Sequence, residues 1–180
     1  MPHRLFTVIA LTLAASGSAH ADDDTVSSYE ARAAAVALHG GIATPLGFGG
    51  VSLQFSPLAA VAVEVGLGFG FTGVQLAGDL HFRLPLGNFA PFVSLGASVS
   101  TGKLDQDIGA EGYGVVMDNP VWLNAMVGLE YRWSGGVELR LYGGYGKVVG
   151  YASCKPGYQD SDARCEDGYP GLGLALGYAF

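Results

Sequence analysis

Gly171-Leu172-Gly173-Leu174-Ala175-Leu176-Gly177-Tyr178-Ala179-Phe180 carries two rows of residues. Leu172, Leu174, Leu176, Tyr178 and Phe180 form one; Gly171, Gly173, Ala175, Gly177 and Ala179 form the other. A period of two puts successive side chains on opposite faces of a β-strand. One face is large and apolar, the other very small, and neither carries a charge. A strand of a soluble sandwich would show charges on its outer face. A lipid-facing row backed by a crowded interior row accounts for both halves.

The alternation recurs upstream. From Val137 to Val148, Val137, Leu139, Leu141 and Tyr145 oppose Glu138, Arg140, Tyr142 and Gly144. From Val121 to Trp133, Val121, Leu123, Ala125, Val127, Leu129, Tyr131 and Trp133 oppose Trp122, Asn124, Met126, Gly128, Glu130 and Arg132. From Val74 to Leu84, Val74, Leu76, Leu80, Phe82 and Leu84 oppose Gln75, Ala77, Asp79, His81 and Arg83. From Val61 to Phe71, the odd positions are Val, Leu and Phe, and the even ones are Ala62, Glu64, Gly66, Gly68 and Gly70. The apolar rows are read as free of charge, with every charge on the second row. Pro91 to Ser100 and Gly49 to Phe55 alternate more weakly. Glu30 to Gly40 is alanine-rich and helix-prone. It is assigned as a strand because a closed barrel needs a partner for its last strand.

These eight segments have about the 9–11 residues that a tilted membrane strand needs. Short links, Ser56 to Ala60, Pro85 to Ala90 and Ser134 to Gly136, alternate with links on the other side, of which 101–120 and 150–170 are long and polar while Gly41 to Phe48 and Gly70 to Gly73 are brief. That asymmetry separates short periplasmic turns from external loops and puts both termini in the periplasm. Phe55, Phe82, Tyr131, Trp133, Tyr178 and Phe180 fall near the short-turn ends, where an aromatic girdle belongs, with Tyr145 and Phe69 or Phe71 nearer the other rim. The fold class is all-β: a closed, eight-stranded, antiparallel, up-and-down transmembrane β-barrel. A soluble lipocalin-like barrel would need charged outer rows.

Composition agrees. Charged residues are 14% of the chain, below the usual share of about 25%. Glycine, at 29 of 180, has no three-residue period. The stretches after the first segment contain no clean apolar run long enough for a spanning helix. Met1 to Arg4 gives a positive start, Leu5 to Ala15 an apolar run and Ala19-His20-Ala21 a small-x-small site. Residues 1–21 therefore read as a secretory signal peptide, too short for an anchor helix. Residues 22–29 read as a flexible periplasmic segment and 30–180 as the barrel. The net charge of −7 becomes more acidic once Arg4 is removed, and no basic cluster marks a nucleic-acid partner.

The chain resembles the small eight-stranded outer-membrane barrels of Gram-negative bacteria, of the outer membrane protein A and X type. The resemblance covers the mature chain and rests on this architecture and on the ending from Leu174 to Phe180. It implies location in the cell outer membrane, contact with lipid and lipopolysaccharide, and Tyr178 and Phe180 as a signal read by the barrel-assembly machinery. No periplasmic peptidoglycan-binding domain is read after the last strand, so the resemblance is not expected to carry over that role.

The second rows gather Glu64, Asp79, His81, Arg83, Glu130, Arg132, Glu138 and Arg140. Eight strands leave an interior just wide enough for side chains to fill, so these are read as a packed ion-pair network. A narrow polar pore or transporter for small solutes is the alternative. Cys154 and Cys165, in an exported chain, are read as a disulfide; the weaker reading is a metal site, for which no nearby histidine exists. His81 shares a face with Asp79, and Ser52 or Ser94 could lie inside, yet spacing alone makes no nucleophile–base pair. No catalytic residue, metal or cofactor is assigned, and a lipid-modifying enzyme is the least favoured reading. The loop acids Asp105, Asp107, Glu111, Asp160, Asp162, Glu166 and Asp167 are read as solvated charge. The loops 101–120 and 150–170 are the surfaces for an extracellular partner.

Overall fold

The computed structural model describes residues 32–108, 113–154 and 168–180. They form nine strands: β1 Ala34–Thr44, β2 Gly47–Leu58, β3 Val61–Gly70, β4 Gly73–Arg83, β5 Phe89–Ser100, β6 Lys103–Ile108, β7 Tyr113–Arg132, β8 Val137–Cys154 and β9 Gly168–Ala179. Each strand from β1 to β5 pairs antiparallel with the next, as do β5 with β7, β7 with β8, and β8 with β9. β9 pairs with β1 from Ala35↔Ala179 to Ile42↔Leu172, which closes the wall. β6 pairs with β7 alone and prolongs β5 beyond Thr101-Gly102. The wall is therefore a closed, eight-stranded, up-and-down barrel, with no helix among the described residues.

Closure fixes the stagger of the strands. The Cα partners run from Ala179 through Ala35, Gln54, Glu64, Asp79, Gly96, Asn124 and Gly146 to Tyr169. One circuit thus returns to β9 about ten residues from its start, so the strands are strongly tilted. Every residue on this path faces inward.

The two rows map onto the two faces of the wall. Leu38, Leu53, Leu67, Leu95, Val127, Leu141 and Leu172 are exposed outside, while Ala37, Ser52, Ala77, Ser94, Met126 and Ala175 are buried inside. One position corrects the reading of charge-free outer rows. Lys147 shares the parity of Tyr145 and is exposed on the outer wall. It sits where β8 leaves the barrel body, a height at which a long stem can carry an ammonium out of an apolar layer.

The sequence also misjudged the long loops. β6 and β7 run through much of 101–120, β8 continues to Cys154, and β9 starts at Gly168. These extensions pair with each other, from Lys103↔Asp118 to Ile108↔Tyr113 and from Val115↔Cys154 to Met117↔Ala152. Ladder hydrogen bonding thus continues past the barrel body despite the polar composition that suggested loop. In β1, pairing with both β2 and β9 overrides the helical preference of its alanines, because a missing strand would leave two edges unpaired.

At the short-turn end three aromatics form a contact chain. Phe89 packs edge-on to Tyr131 with centroids 4.6 Å apart, and Tyr131 packs likewise on Trp133 at 4.6 Å. Phe48 and Phe71 make an edge contact at 4.3 Å at the opposite rim. Arg32, just before β1, donates to Ala179 O and Ser134 O, both at 2.7 Å, tying the chain entry to the last strand and the β7–β8 turn.

Candidate functional site

The candidate site is the lumen. Many of its large side chains have glycine as one of their direct cross-strand partners. Large inward residues stand beside glycine: His39↔Gly50, Asp79↔Gly96, Phe92↔Gly128, Met126↔Gly144, Tyr142↔Gly173 and Glu138↔Gly177. A Cβ at Gly173 would come within 2.6 Å of the Tyr142 ring, and one at Gly128 equally close to Phe92. Glycine abundance here is a packing requirement of a narrow barrel filled by long side chains.

Beside the short turns the lumen holds a ladder of alternating charge. Arg83 Nη1 lies 3.2 Å from Glu130 Oε1; Arg132 Nη2 bridges Glu130 at 3.0 Å and Glu138 at 2.8 Å. Arg140 reaches Glu138 at 3.4 Å with one Nη and pairs with Glu64 through the other. Glu130, Glu138, Arg132 and Arg140 are at most 1% exposed. Arg83 also donates to Ser56 Oγ at 2.6 Å and Gln54 Oε1 at 3.3 Å. Burial of six charges is tolerable because each finds an opposite charge on its own strand, on a nearby strand or, for Arg140 and Glu64, across the lumen.

Above the ladder the chemistry changes. Glu64 Oε1 is 3.3 Å from His39 Nε2, and Glu64 Oε2 is 3.7 Å from His81 Nε2. Asp79 is the direct cross-strand partner of Glu64, so two carboxyl groups stand side by side. His39, Glu64, Asp79, His81, Ser94 and Arg140 share a cavity of about 20 Å³ with Pro45, Leu46, Phe92, Met126 and Tyr142. The eight charge-row residues read from sequence all face the lumen. Glu64, His81 and Arg140 lie in reach of one another, whereas Asp79 Oδ1 and both His81 nitrogens have no hydrogen bond within the protein.

A serine, a histidine and a carboxylate do meet, though at His39 rather than His81. His39 Nε2 is 2.7 Å from Ser52 Oγ and 3.3 Å from Glu64, while Nδ1 is 3.0 Å from the Tyr142 hydroxyl. In a nucleophile relay the carboxylate holds one ring nitrogen and the hydroxyl the other. Here both share Nε2, and Ser52 is 2% exposed inside a narrow lumen. The contacts fix the ring rather than prepare an attack.

Neither a known protein family nor a curated protein matches the sequence. Among solved structures, the N-terminal β-barrel domain of Pseudomonas aeruginosa OprF is similar at 14% identity, over 83% of this chain and 98% of that one, with a TM-score of 0.53. Neisserial surface protein A (NspA) is similar at 13% identity, over 82% of this chain and 94% of that one, with a TM-score of 0.48. The fold is that of the OprF barrel domain. At such identity the likeness speaks for the fold, and the contents of the lumen are this chain's own.

Three lumen residues, His39, Ser56 and Leu46, escaped the sequence reading, and Gln54 stood on an inner row without being placed in the charge network. His39 is hidden in the alanine-rich segment, though its parity with Ala35 and Ala37 was a usable signal. Gln54 and Ser56 complete the hydrogen bonds of Arg83 and lie on the inner parity of β2. Leu46 gave no signal, because a turn residue has no row to belong to. Tyr178 and Phe180 are exposed on the outer wall at its lower edge. Cys165, the signal peptide and residues 22–29 lie outside the described residues, and with them the proposed disulfide.

Proposed function

We propose that the chain is an integral protein of the Gram-negative outer membrane with a structural or surface-interaction role, its lumen plugged by the Arg–Glu ladder. One observation carries this reading: a wall apolar outside encloses charges that are buried and paired inside. Lipid solvates the first arrangement, and only mutual pairing makes the second tolerable. On this reading lipopolysaccharide and lipid contact the outer rows, with Lys147 at headgroup height. The assembly machinery reads Tyr178 and Phe180, and the loop regions 101–120 and 150–170, stapled by Cys154–Cys165, meet an extracellular partner. The role is non-enzymatic; the His39 geometry supports this, since Ser52 and Glu64 compete for one nitrogen.

Mature protein refolded in detergent should run at different gel mobility before and after boiling; an unchanged band counts against a closed barrel. The folded protein should be silent in a planar lipid bilayer. The cavity beside Glu64 and Asp79 favours a second reading, a narrow pore for small solutes. Steady, reproducible channel steps would put that reading first and remove the plug.

A further inference from the structure

The β2–β3 and β4–β5 turns lie at the short-turn end, yet neither is built for water. Ser56-Pro57-Leu58-Ala59-Ala60 and Leu84-Pro85-Leu86-Gly87-Asn88 contain no charged residue. Leu58, Leu84 and Leu86 are exposed, at 65%, 62% and 58%. Their direction is set by the backbone. One extra residue in β2 shifts the register between Phe55↔Val63 and Leu58↔Val61. Such a bulge reverses the parity of the strand beyond it. Leu58 therefore stands beside Val61 on the outer face, whereas unbroken alternation would have put it on the inner row with Gln54 and Ser56. In the β4–β5 turn, Leu86 and Phe89 exchange backbone hydrogen bonds of 2.6 and 3.2 Å across Gly87-Asn88. Gly87 takes the positive φ of 65° that this tight turn requires. Leu86 is thereby held on the face of Phe89, and Leu84 keeps the outer parity of Phe82.

The two turns are neighbours. Arg83 N donates to Ala60 O at 2.8 Å, and Val61 and Phe82 are direct partners across β3 and β4. Leu58, Val61, Phe82, Leu84, Leu86 and Phe89 thus share one apolar surface. It joins the outer rows above through Val63 and Leu80, and the aromatic contact chain through Phe89 and Tyr131. The β7–β8 turn differs. Ser134-Gly135-Gly136 offers no apolar side chain, and Arg32 donates there to Ser134 O. A protein surface in water rarely shows a contiguous apolar area of this kind. We propose that the β2–β3 and β4–β5 turns are a membrane-docking surface, seated in the interfacial layer of the phospholipid leaflet on the short-turn side, while the β7–β8 turn stands in water. Lipid is the occupant because the patch continues the lipid-facing wall on the same face and carries no charge to favour water. The inference rests on the outer-membrane reading and goes beyond it, since the short turns of a barrel are otherwise placed in the periplasm.

The test is spin labelling of the full mature chain folded into phosphatidylcholine vesicles, with Cys154→Ser and Cys165→Ser so that each label has one position. Nitroxides at Leu58→Cys, Leu86→Cys, Gly135→Cys and Leu141→Cys are read by collision with dioxygen, which enters lipid, and with a water-soluble nickel chelate. Gly135 has open space for a side chain, and the other three positions are exposed. Labels at Leu58 and Leu86 should meet the nickel chelate at least about threefold less often than the label at Gly135, and dioxygen more often, because an apolar interfacial seat excludes polar solutes. Equal nickel collision at all three turn positions, with Leu141 shielded, would overturn the docking surface and leave the membrane barrel intact. Nickel reaching Leu141 would remove the membrane reading and this inference with it. Shielding of Leu58 and Leu86 from both agents would put protein on the turns and also overturn the proposal. Leu86→Trp, made with both cysteines in place, serves if the cysteine-free chain does not fold. Dibromo-phosphatidylcholine should quench its added emission; undiminished emission would overturn the lipid seat.

Discussion

Beside the short turns, the lumen is filled by Arg83, Glu130, Arg132 and Glu138, whose long side chains occupy the space and neutralise one another. Beneath the β1–β2 turn, Gly50, Gly66 and Gly68 leave a hollow that Leu46 enters from outside the strand rows. The first half is filled by side chains of its own wall, and each depends on the next. The second half is filled partly by a loop against backbone, beside wall residues such as Phe92, Met126 and Tyr142, with small polar contacts such as Asn124 Nδ2 to Ser98 Oγ at 3.3 Å. The difference predicts brittle energetics in the ladder and tolerance above it. An ion removed from a buried chain leaves its neighbour's charge unpaired, whereas a lost neutral contact leaves only a gap.

The largest effect is expected at Arg140, which bridges Glu138 and Glu64. Arg140→Met should destabilise the folded barrel by about 3–5 kcal/mol in urea unfolding from detergent, because two buried carboxylates lose a partner. A loss under about 1 kcal/mol would mean that water reaches the ladder, and the contrast between halves would collapse. On the outer wall, Leu141→Arg at mid-strand should cost about 2–4 kcal/mol in lipid vesicles. A neutral result there would mean that the assignment of faces carries no membrane meaning.

Gly68→Ala sharpens the account of the upper half. The new methyl would collide with the Leu46 backbone carbonyl, so a loss of about 1–3 kcal/mol is expected from overpacking. If stability is unchanged, the turn yields easily and its seat is loose. The smallest effect belongs to Asn124→Ala, which removes one neutral hydrogen bond: about 1 kcal/mol or less in the same unfolding assay. A loss matching that of Arg140→Met would show that the upper half is as tightly coupled as the ladder.

Strand count, wall faces and the inward direction of the charge row were legible because a period of two is a local property. Leu141 and Arg140 are neighbours in sequence and opposites in environment, and alternation alone tells them apart. The ends of strands were less legible. Residues 113–118 and 150–154 look like loop by composition, but 113–118 pair with 103–108 in a hairpin and 115–117 pair with 152–154, and backbone pairing does not consult side-chain polarity. Lys147 was misjudged for a related reason: strand parity sets the face, while height above the apolar belt decides whether a charge is tolerable there.

The sequence alone determined that this chain closes into an eight-stranded barrel with its strand charges inside, Lys147 excepted, since two-residue periodicity and the scarcity of outer charge are written locally. The tertiary structure decided which charges pair, why Glu64 rather than Asp79 receives Arg140, and that His39 meets Ser52. Those outcomes depend on the stagger of about ten residues per circuit, which brings together side chains from strands distant in sequence. Tertiary structure also decided the place of Leu46, because a turn has no period, and only the glycine wall opposite shows where it must go.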